Sequence, residues 1–336
     1  MKFKIGYKHN KKKYWTGRID DVNDIESMRW HQSVININLN NLDKLIANNT
    51  YHNFCFIGFE CNEGVKRNLG RIGAAQAPDY IRKEMSNFPF DIDLNISLYD
   101  AGNITCIDND LEKSQQNLSK AVELILSKNI FPIVLGGGHD IAFGNYLGIS
   151  NFLKNKTNNK IGIINFDAHF DLRPYTKNGV NSGSMFLQIA ENCIEQKKNF
   201  SYYCVGIQTY ANTKRLFHTA KELNVKYELA KDINQENIEK TKSNLSTFIN
   251  QSDYIYLTVC ADVFSSAYAP GVSAPQPFGL LPEITLQLIK HIVHSKKLIS
   301  FDIAEISPRF DEDNRTAKLG AIIIYSVINA MSGNII

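Results

Sequence analysis

No stretch of the 336 residues approaches the ~18 consecutive apolar residues that a membrane helix needs, so a helical membrane protein is excluded. The six cysteines, at 55, 61, 106, 193, 204 and 260, form no CxxC pair, and a chain this long buries a core without covalent staples. A disulfide framework is therefore not expected; reduced thiols and a cytoplasmic location are. A net charge of only +3 sets up no field that would argue for nucleic acid or a membrane surface as partner. Met1-Lys2-Phe3-Lys4-Ile5-Gly6 is basic, but no apolar segment follows it, so no signal peptide is expected. The basic run Lys11-Lys12-Lys13 is short and reads as a solvated terminus. Internal repeats and low-complexity linkers are absent.

What is present is 43% hydrophobic and 21% charged, the balance of a globular protein. Short apolar, β-rich runs at 53–59, 96–99, 131–135, 160–166, 201–207, 225–229, 254–259 and 297–303 alternate with helical patterns at 77–85, 111–126, 213–223, 238–251, 282–295 and 316–331. Ile133-Val134-Leu135 and Ile161-Gly162-Ile163-Ile164 are apolar without alternation, as in parallel strands covered on both faces. The expectation is one three-layer α/β/α sandwich over residues 1–336, with 1–52 a partly irregular N-terminal extension. Ligands of such sheets sit at the carboxyl ends of the strands.

The chemically loaded residues follow predicted strands. Gly136-Gly137-Gly138-His139-Asp140 comes after 131–135; alone it reads as readily as a structural turn. Asp167-Ala168-His169-Phe170-Asp171 comes after 160–166. Two carboxylates and an imidazole at the end of a buried strand are costly unless paired, and a metal offsets that cost. The mixture suits Mn²⁺, with Zn²⁺, Ni²⁺ or Fe²⁺ as alternatives. Cys260-Ala261-Asp262 and Phe301-Asp302-Ile303-Ala304-Glu305 end two further strands.

Together these segments resemble the arginase-like (ureohydrolase) family, in which GG(D/G)H, DAHxD and DxD segments supply ligands for two Mn²⁺ ions. The order along the chain is similar too. The resemblance is strongest to the formimidoylglutamase branch. It is carried there by Tyr14-Trp15-Thr16-Gly17-Arg18-Ile19-Asp20, by Gly64-Val65-Lys66-Arg67-Asn68-Leu69-Gly70-Arg71-Ile72-Gly73-Ala74, by Asn181-Ser182-Gly183-Ser184-Met185-Phe186 and by Ala269-Pro270-Gly271-Val272-Ser273-Ala274-Pro275. It implies an eight-stranded, mostly parallel sheet. It also implies a metal-dependent hydrolase that converts N-formimidoyl-L-glutamate to L-glutamate and formamide, in histidine degradation, by attack of metal-bound hydroxide on the C=N carbon.

By that resemblance the metal ligands are His139, Asp167, His169, Asp171, Cys260 and Asp262, for two Mn²⁺ ions or one. Glu305, His169 and Asp140 are the candidate catalytic groups, Glu305 accepting the amidine N–H groups. Arg173 and Arg71 would grip the carboxylates of a small-molecule substrate, assisted by Tyr175, Asn181 and Ser182. Neither nucleic acid nor membrane is implied as a partner; many members form trimers or hexamers, so a homo-oligomer is compatible with the resemblance, but the sequence does not reveal this chain's own assembly.

One departure stands out. The family has a bridging Asp where this chain has Cys260, and a thiolate suits zinc or iron better than manganese. A bridging thiolate, a one-metal site and an inactive site are all compatible with it. Other readings are thus an arginase or guanidino-acid hydrolase, and a metal-poor binding subunit. Ser182 stands where arginases have a His, which weighs against the arginase reading.

Overall fold

Strand residues that are apolar on both faces require a helical layer above and below them. The computed structural model, which describes residues 3, 5–9, 13–44, 52–91 and 95–333, shows how both layers form. Lys11 and Lys12 of the basic run lie outside the described residues.

The sheet contains β1 (Tyr7–Lys8), β2 (Ile35–Asn36), β3 (His52–Glu60), β4 (Ile96–Thr105), β5 (Phe131–Leu135), β6 (Ile161–Phe166), β7 (Tyr202–Ile207), β8 (Lys226–Leu229), β9 (Tyr254–Cys260) and β10 (Leu298–Ala304). Their order is β1-β4-β3-β5-β10-β9-β6-β7-β8, and β2 also pairs with β4. From β4 to β8 every neighbouring pair is parallel. These are the eight strands expected from the sequence. The sheet is nevertheless ten-stranded, because β1 joins β4 antiparallel and β2 joins it parallel. Two-residue strands carry no alternation, so no sequence pattern announces them.

β4 also runs six residues past its expected end at Tyr99. Asp100 and Asn103 interrupt the apolar run there, yet both are buried, because the fully buried Arg82 pairs with them. Its Nε and Nη2 lie 2.8 and 2.9 Å from the Asp100 carboxylate, and its Nη1 lies 2.7 Å from Asn103 Oδ1. Trp15 Nε1 donates to the same carboxylate at 2.5 Å, docking the N-terminal segment on the sheet. An isolated charge would not survive this burial; the bidentate pair makes it tolerable.

Two short helices, α1 (Trp30–Ser33) and α2 (Glu63–Arg67), precede the main layers. One face is covered by α3 (Ala77–Met85), α8 (Ile238–Asn250), α9 (Pro282–Val293) and α10 (Arg315–Met331). The other is covered by α4 (Leu111–Ser127), α5 (Ile141–Leu153), α6 (Met185–Glu195) and α7 (Lys214–Glu222). Alternate strand residues feed the two cores: Ile133 and Leu135 point to the first, Val134 to the second. Asp110 caps α4 by accepting from Lys113 N at 2.9 Å. No helix among the described residues is long and apolar enough to cross a membrane.

α5 matters most for the site, because it begins two residues after His139. Gly144 and Gly148 lie on its α4 side, where a Cβ on Gly148 would come within 2.6 Å of Val122 Cβ and 2.7 Å of the Ser119 carbonyl oxygen. Gly148→Ala gains about 1 kcal/mol of helix propensity but overpacks the contact at a cost of about 1–3 kcal/mol. The expected result is a lower melting temperature for the chelator-treated protein. An unchanged or higher one would show that α4 and α5 separate freely.

Candidate metal centre

β5, β10, β9 and β6 are adjacent in the middle of the sheet, and register places Ala304 beside Cys260 and Ile303 beside Leu135. Their carboxyl ends therefore open side by side. His139 follows β5, Glu305 follows β10, Cys260 and Asp262 end and follow β9, and Asp167 to Asp171 follow β6. Residues distant in sequence thus converge on a cavity of about 290 Å³. His139, His169, Asp171, Cys260, Asp262 and Glu305 line it, with Asn68 to Arg71, Arg173, Ser182, Ser273 and Ala274 forming its walls.

Local backbone shape makes the convergence possible. A Cβ on Gly136 would lie 2.3 Å from the Ile303 carbonyl oxygen, and one on Gly137 would lie 2.4 Å from that of Cys61. Only glycines let the loop after β5 run this close to its neighbours. Asp171 (φ 49°) and Glu305 (φ 63°) both adopt left-handed backbone, a conformation that concentrates at functional sites.

Asp167 is the shared centre of the cluster. His139 Nδ1 lies 2.9 Å from Asp167 Oδ2 and 3.1 Å from Asp171 Oδ2. His169 Nδ1 lies 3.5 Å from Asp167 Oδ1 and 3.2 Å from Asp262 Oδ2. One donor atom each from His139, Asp167 and Cys260 lie within 4.8 Å of one another, and so do donors of Asp167, His169 and Asp262. Asp262 Oδ1 is buried with no hydrogen-bond partner among the described residues.

The charges are held in tension. Burial pushes Asp167 up, but the hydrogen bonds and charges of His139 and His169 outweigh it and hold the group below its ordinary value. Burial lowers both imidazoles, yet the facing carboxylates raise each of them well above the usual range. Asp171 is pushed up to about 6, first by burial and then by Asp167. Burial, then Asp167 and the other carboxylates, push the Cys260 thiol up. Glu305 is driven to about 8 by burial, with Asp262 and Asp140 adding to the shift. Its Oε1 accepts from the His139 backbone N–H at 2.9 Å. Without a cation, then, protons neutralise this pocket.

The other candidates read from the sequence divide between the cavity lining and its surroundings. Asp140 does not line the cavity: its carboxyl packs against Gly64 and Gly138, and neither oxygen has a hydrogen-bond partner among the described residues. The structure does not bring it into the cavity lining with the other candidates, because at the start of α5 the chain turns this side chain toward Gly64 and Gly138. Arg71 lines the rim, but its guanidinium is already engaged. Nε donates to the Ser273 carbonyl oxygen at 3.0 Å, Nη2 donates to that of Val272 at 2.6 Å, and the group stacks on Phe310. It holds the 269–275 loop in place. Tyr175 is exposed, bonds Glu191 and does not line the cavity. Asn181 is buried, accepting from Gly183 N at 2.9 Å, and stays outside the lining. Ser182 and the exposed Arg173 do line it.

Asn68, Ser273 and Thr258 were not singled out from the sequence. Asn68 Nδ2 donates to Ser182 Oγ at 3.4 Å, Ser273 Oγ receives Arg71 N at 2.8 Å, and Thr258 Oγ1 lies 2.9 Å from His139 Nε2. Asn68 and Ser273 lie in the segments that carry the family resemblance, and Thr258 had its own signal as a polar residue inside an apolar strand.

Residues 52–329 match the model of the Arginase family. The chain is 50% identical over 329 residues to the formimidoylglutamase of Clostridium tetani, covering 98% of this chain and 97% of that protein. Among solved structures, the formimidoylglutamase of Bacillus subtilis superposes with a TM-score of 0.73 at 22% identity, covering 86% of this chain and 90% of that one. The formiminoglutamase of Trypanosoma cruzi, solved with Mn²⁺, gives 0.72 at 22% identity over 88% and 98%. At such identity the structural likeness speaks for the fold.

Glu305 makes stability pH-dependent when cations are removed. Its carboxyl holds a proton up to about pH 8 in the folded chain, well above its ordinary 4.5. The folded state therefore binds more protons across that window, and stability falls as pH rises through it. Glu305→Gln removes this dependence. In chelator-treated protein the variant should match the parent near pH ~4.5 and exceed it by on the order of 4 kcal/mol near pH ~9. Urea titrations at the two pH values check this; an equal difference at both would refute it.

Proposed function

The chain belongs to the arginase family, and from that footing we propose that it hydrolyses N-formimidoyl-L-glutamate to L-glutamate and formamide using bound divalent cations. The observation that carries this reading is the meeting of His139, Asp167, Asp171, His169 and Asp262 at the carboxyl ends of neighbouring strands.

The donor set fits such cations. Carboxylates and imidazoles face one another with the Asp262 Oδ1 left open, and a cation offsets their burial better than protons do. His139, Asp167 and Asp171 would hold one ion, with the Cys260 thiol beside His139 and Asp167, and Asp167, His169 and Asp262 would hold a second. Mn²⁺ is the first expectation, supported by the manganese found with the Trypanosoma cruzi protein. When bound, such ions would lower the pKa of a coordinated water and so supply a nucleophile at neutral pH.

The remaining groups orient the substrate. Glu305 spends Oε1 on His139 N, and Oε2 makes no hydrogen bond among the described residues. Glu305 lines the cavity, and its second oxygen suits the planar N–H groups of an amidine. Addition of water across the C=N carbon gives a tetrahedral carbon. Cleavage of its bond to the glutamate nitrogen, with a proton passed to that nitrogen, releases the two products. Arg173 stands at the rim with a guanidinium that makes no ion pair among the described residues, placed to grip a substrate carboxylate. His169 acts here as a ligand, since its Nδ1 faces Asp167 and Asp262. The six cysteines are free, which fits a reducing compartment, and we assign the reaction to the cytoplasm and to histidine breakdown.

The test is product release from formimidoylglutamate, arginine and agmatine by protein of measured metal content. Formimidoylglutamate should be the preferred substrate, and chelation should reduce turnover to below ~1%, with Mn²⁺ restoring it. Preference for arginine or agmatine, or turnover indifferent to metal, would sink the proposal. Arg173→Ala should raise KM about 10- to 100-fold, the worth of one charge-assisted contact, while kcat changes little. Steady-state kinetics would show the opposite split if Arg173 acted on the chemical step.

A further inference from the structure

α2 ends at the cavity mouth in a way that conflicts with its sequence. Leu69 N–H donates to the Lys66 carbonyl oxygen at 3.0 Å, and Gly70 N–H donates to that of Val65 at 2.8 Å. Such a closure puts one residue into left-handed backbone, a place that glycine fills by default and asparagine next. Here Leu69 fills it, at φ 61°. Among the described residues, every other non-glycine residue with positive φ is Asn, Asp, Lys or Glu. The glycine beside it serves another purpose. Gly70 has no positive φ, and a Cβ on it would lie 2.7 Å from Ser273 Oγ and 2.9 Å from Val65 Cγ1. A leucine Cβ in left-handed backbone crowds the following carbonyl oxygen, so position 69 is strained.

Packing does not account for the strain. Leu69 is 91% exposed, more than any other large hydrophobic among the described residues, and it belongs to neither core. It lines the cavity instead. Leu69 and Ala274 are the lining residues with aliphatic side chains; Gly70 and the Cys260 thiol apart, the rest are polar or charged. Leu69 is thus the larger of two aliphatic groups on otherwise polar walls.

The proposed substrate supplies a partner for it. Its amidine belongs with the metal-binding donors and Glu305, and a carboxylate belongs with Arg173. Two methylenes lie between those ends. We propose that Leu69 determines specificity by closing over this aliphatic segment, and that the strained backbone holds it at the mouth for that contact. The inference rests on the substrate of the proposed function and deepens that reading. Contact takes Leu69 and the methylenes out of water together, which favours the complex.

Strain and contact make opposite demands, so two measurements on Mn²⁺-loaded protein test them together. Leu69→Asn and Leu69→Gly suit left-handed backbone and remove the apolar surface. Both should melt about 1–3 °C above wild type. Both should also bind L-glutamate, the product that keeps the two methylenes, about 5- to 20-fold more weakly in calorimetric titrations. KM for formimidoylglutamate should rise by a similar factor, with kcat changed less than about twofold. Leu69→Met keeps an apolar side chain and should stay within about twofold of wild type in affinity and KM. Lower melting temperatures for the Asn and Gly variants would overturn the inference, because Leu69 would then be a packing residue. L-glutamate affinity unchanged in both variants would overturn it too. So would a smaller assembly for both by size exclusion, since Leu69 would then face a second copy of the chain. A wild type that binds L-glutamate, loses that affinity in the two variants and yet leaves formimidoylglutamate intact would refute the proposed reaction while supporting the contact.

Discussion

The burial of Asp167 between two imidazoles is the interaction on which the centre depends. A carboxylate with no exposed surface, at the end of a central strand, is unfavourable on its own. His139 and His169 approach its two oxygens from opposite sides, and Asp171 and Asp262 close the outer edges. Each group is tolerable only because the others are present. The pocket is thus built for positive charge, and protons or divalent ions are the two ways to supply it. The shifts of Glu305 and Asp171 express the proton solution, and the geometry of the donors expresses the metal one.

The architecture serves this arrangement at every level. Parallel strands buried on both faces bring four carboxyl ends into one row. Glycines after β5 let His139 come within reach of residues that follow β6 and β9. Left-handed backbone turns two acidic side chains inward, Glu305 directly after β10 and Asp171 in the loop that follows β6. The rim is built differently: Arg71 holds the 269–275 loop through its carbonyls, while Arg173 leaves its guanidinium exposed at the opening. Two arginines that look alike in the sequence therefore have different occupations. The Cys260 thiol adds a soft donor to an otherwise hard set, which makes the identity of the native metal a property of this chain to be measured.

Much of this was legible in the sequence. Apolar runs such as 131–135 located the long strands, since burial on both faces leaves a continuous hydrophobic signature. The Asp167-Ala168-His169-Phe170-Asp171 cluster announced the centre, because such a density of charge at a strand end has few explanations without a cation. Less legible were residues whose role depends on direction. Asp140 adjoins His139 in sequence, but the start of α5 turns it toward Gly64 and Gly138, outside the cavity lining. Tyr175 and Asn181 lie in the right segment, yet one bonds Glu191 and the other braces its own turn.

The sequence by itself determined the element types, the parallel sheet and the kinds of donor available, because these follow from local periodicity and side-chain chemistry. Tertiary structure alone decided which donors face each other, which arginine remains free and which hydroxyl stands behind His139. Those outcomes depend on strand order and register, which are set by long-range packing of the two helical layers and leave no local trace in the chain.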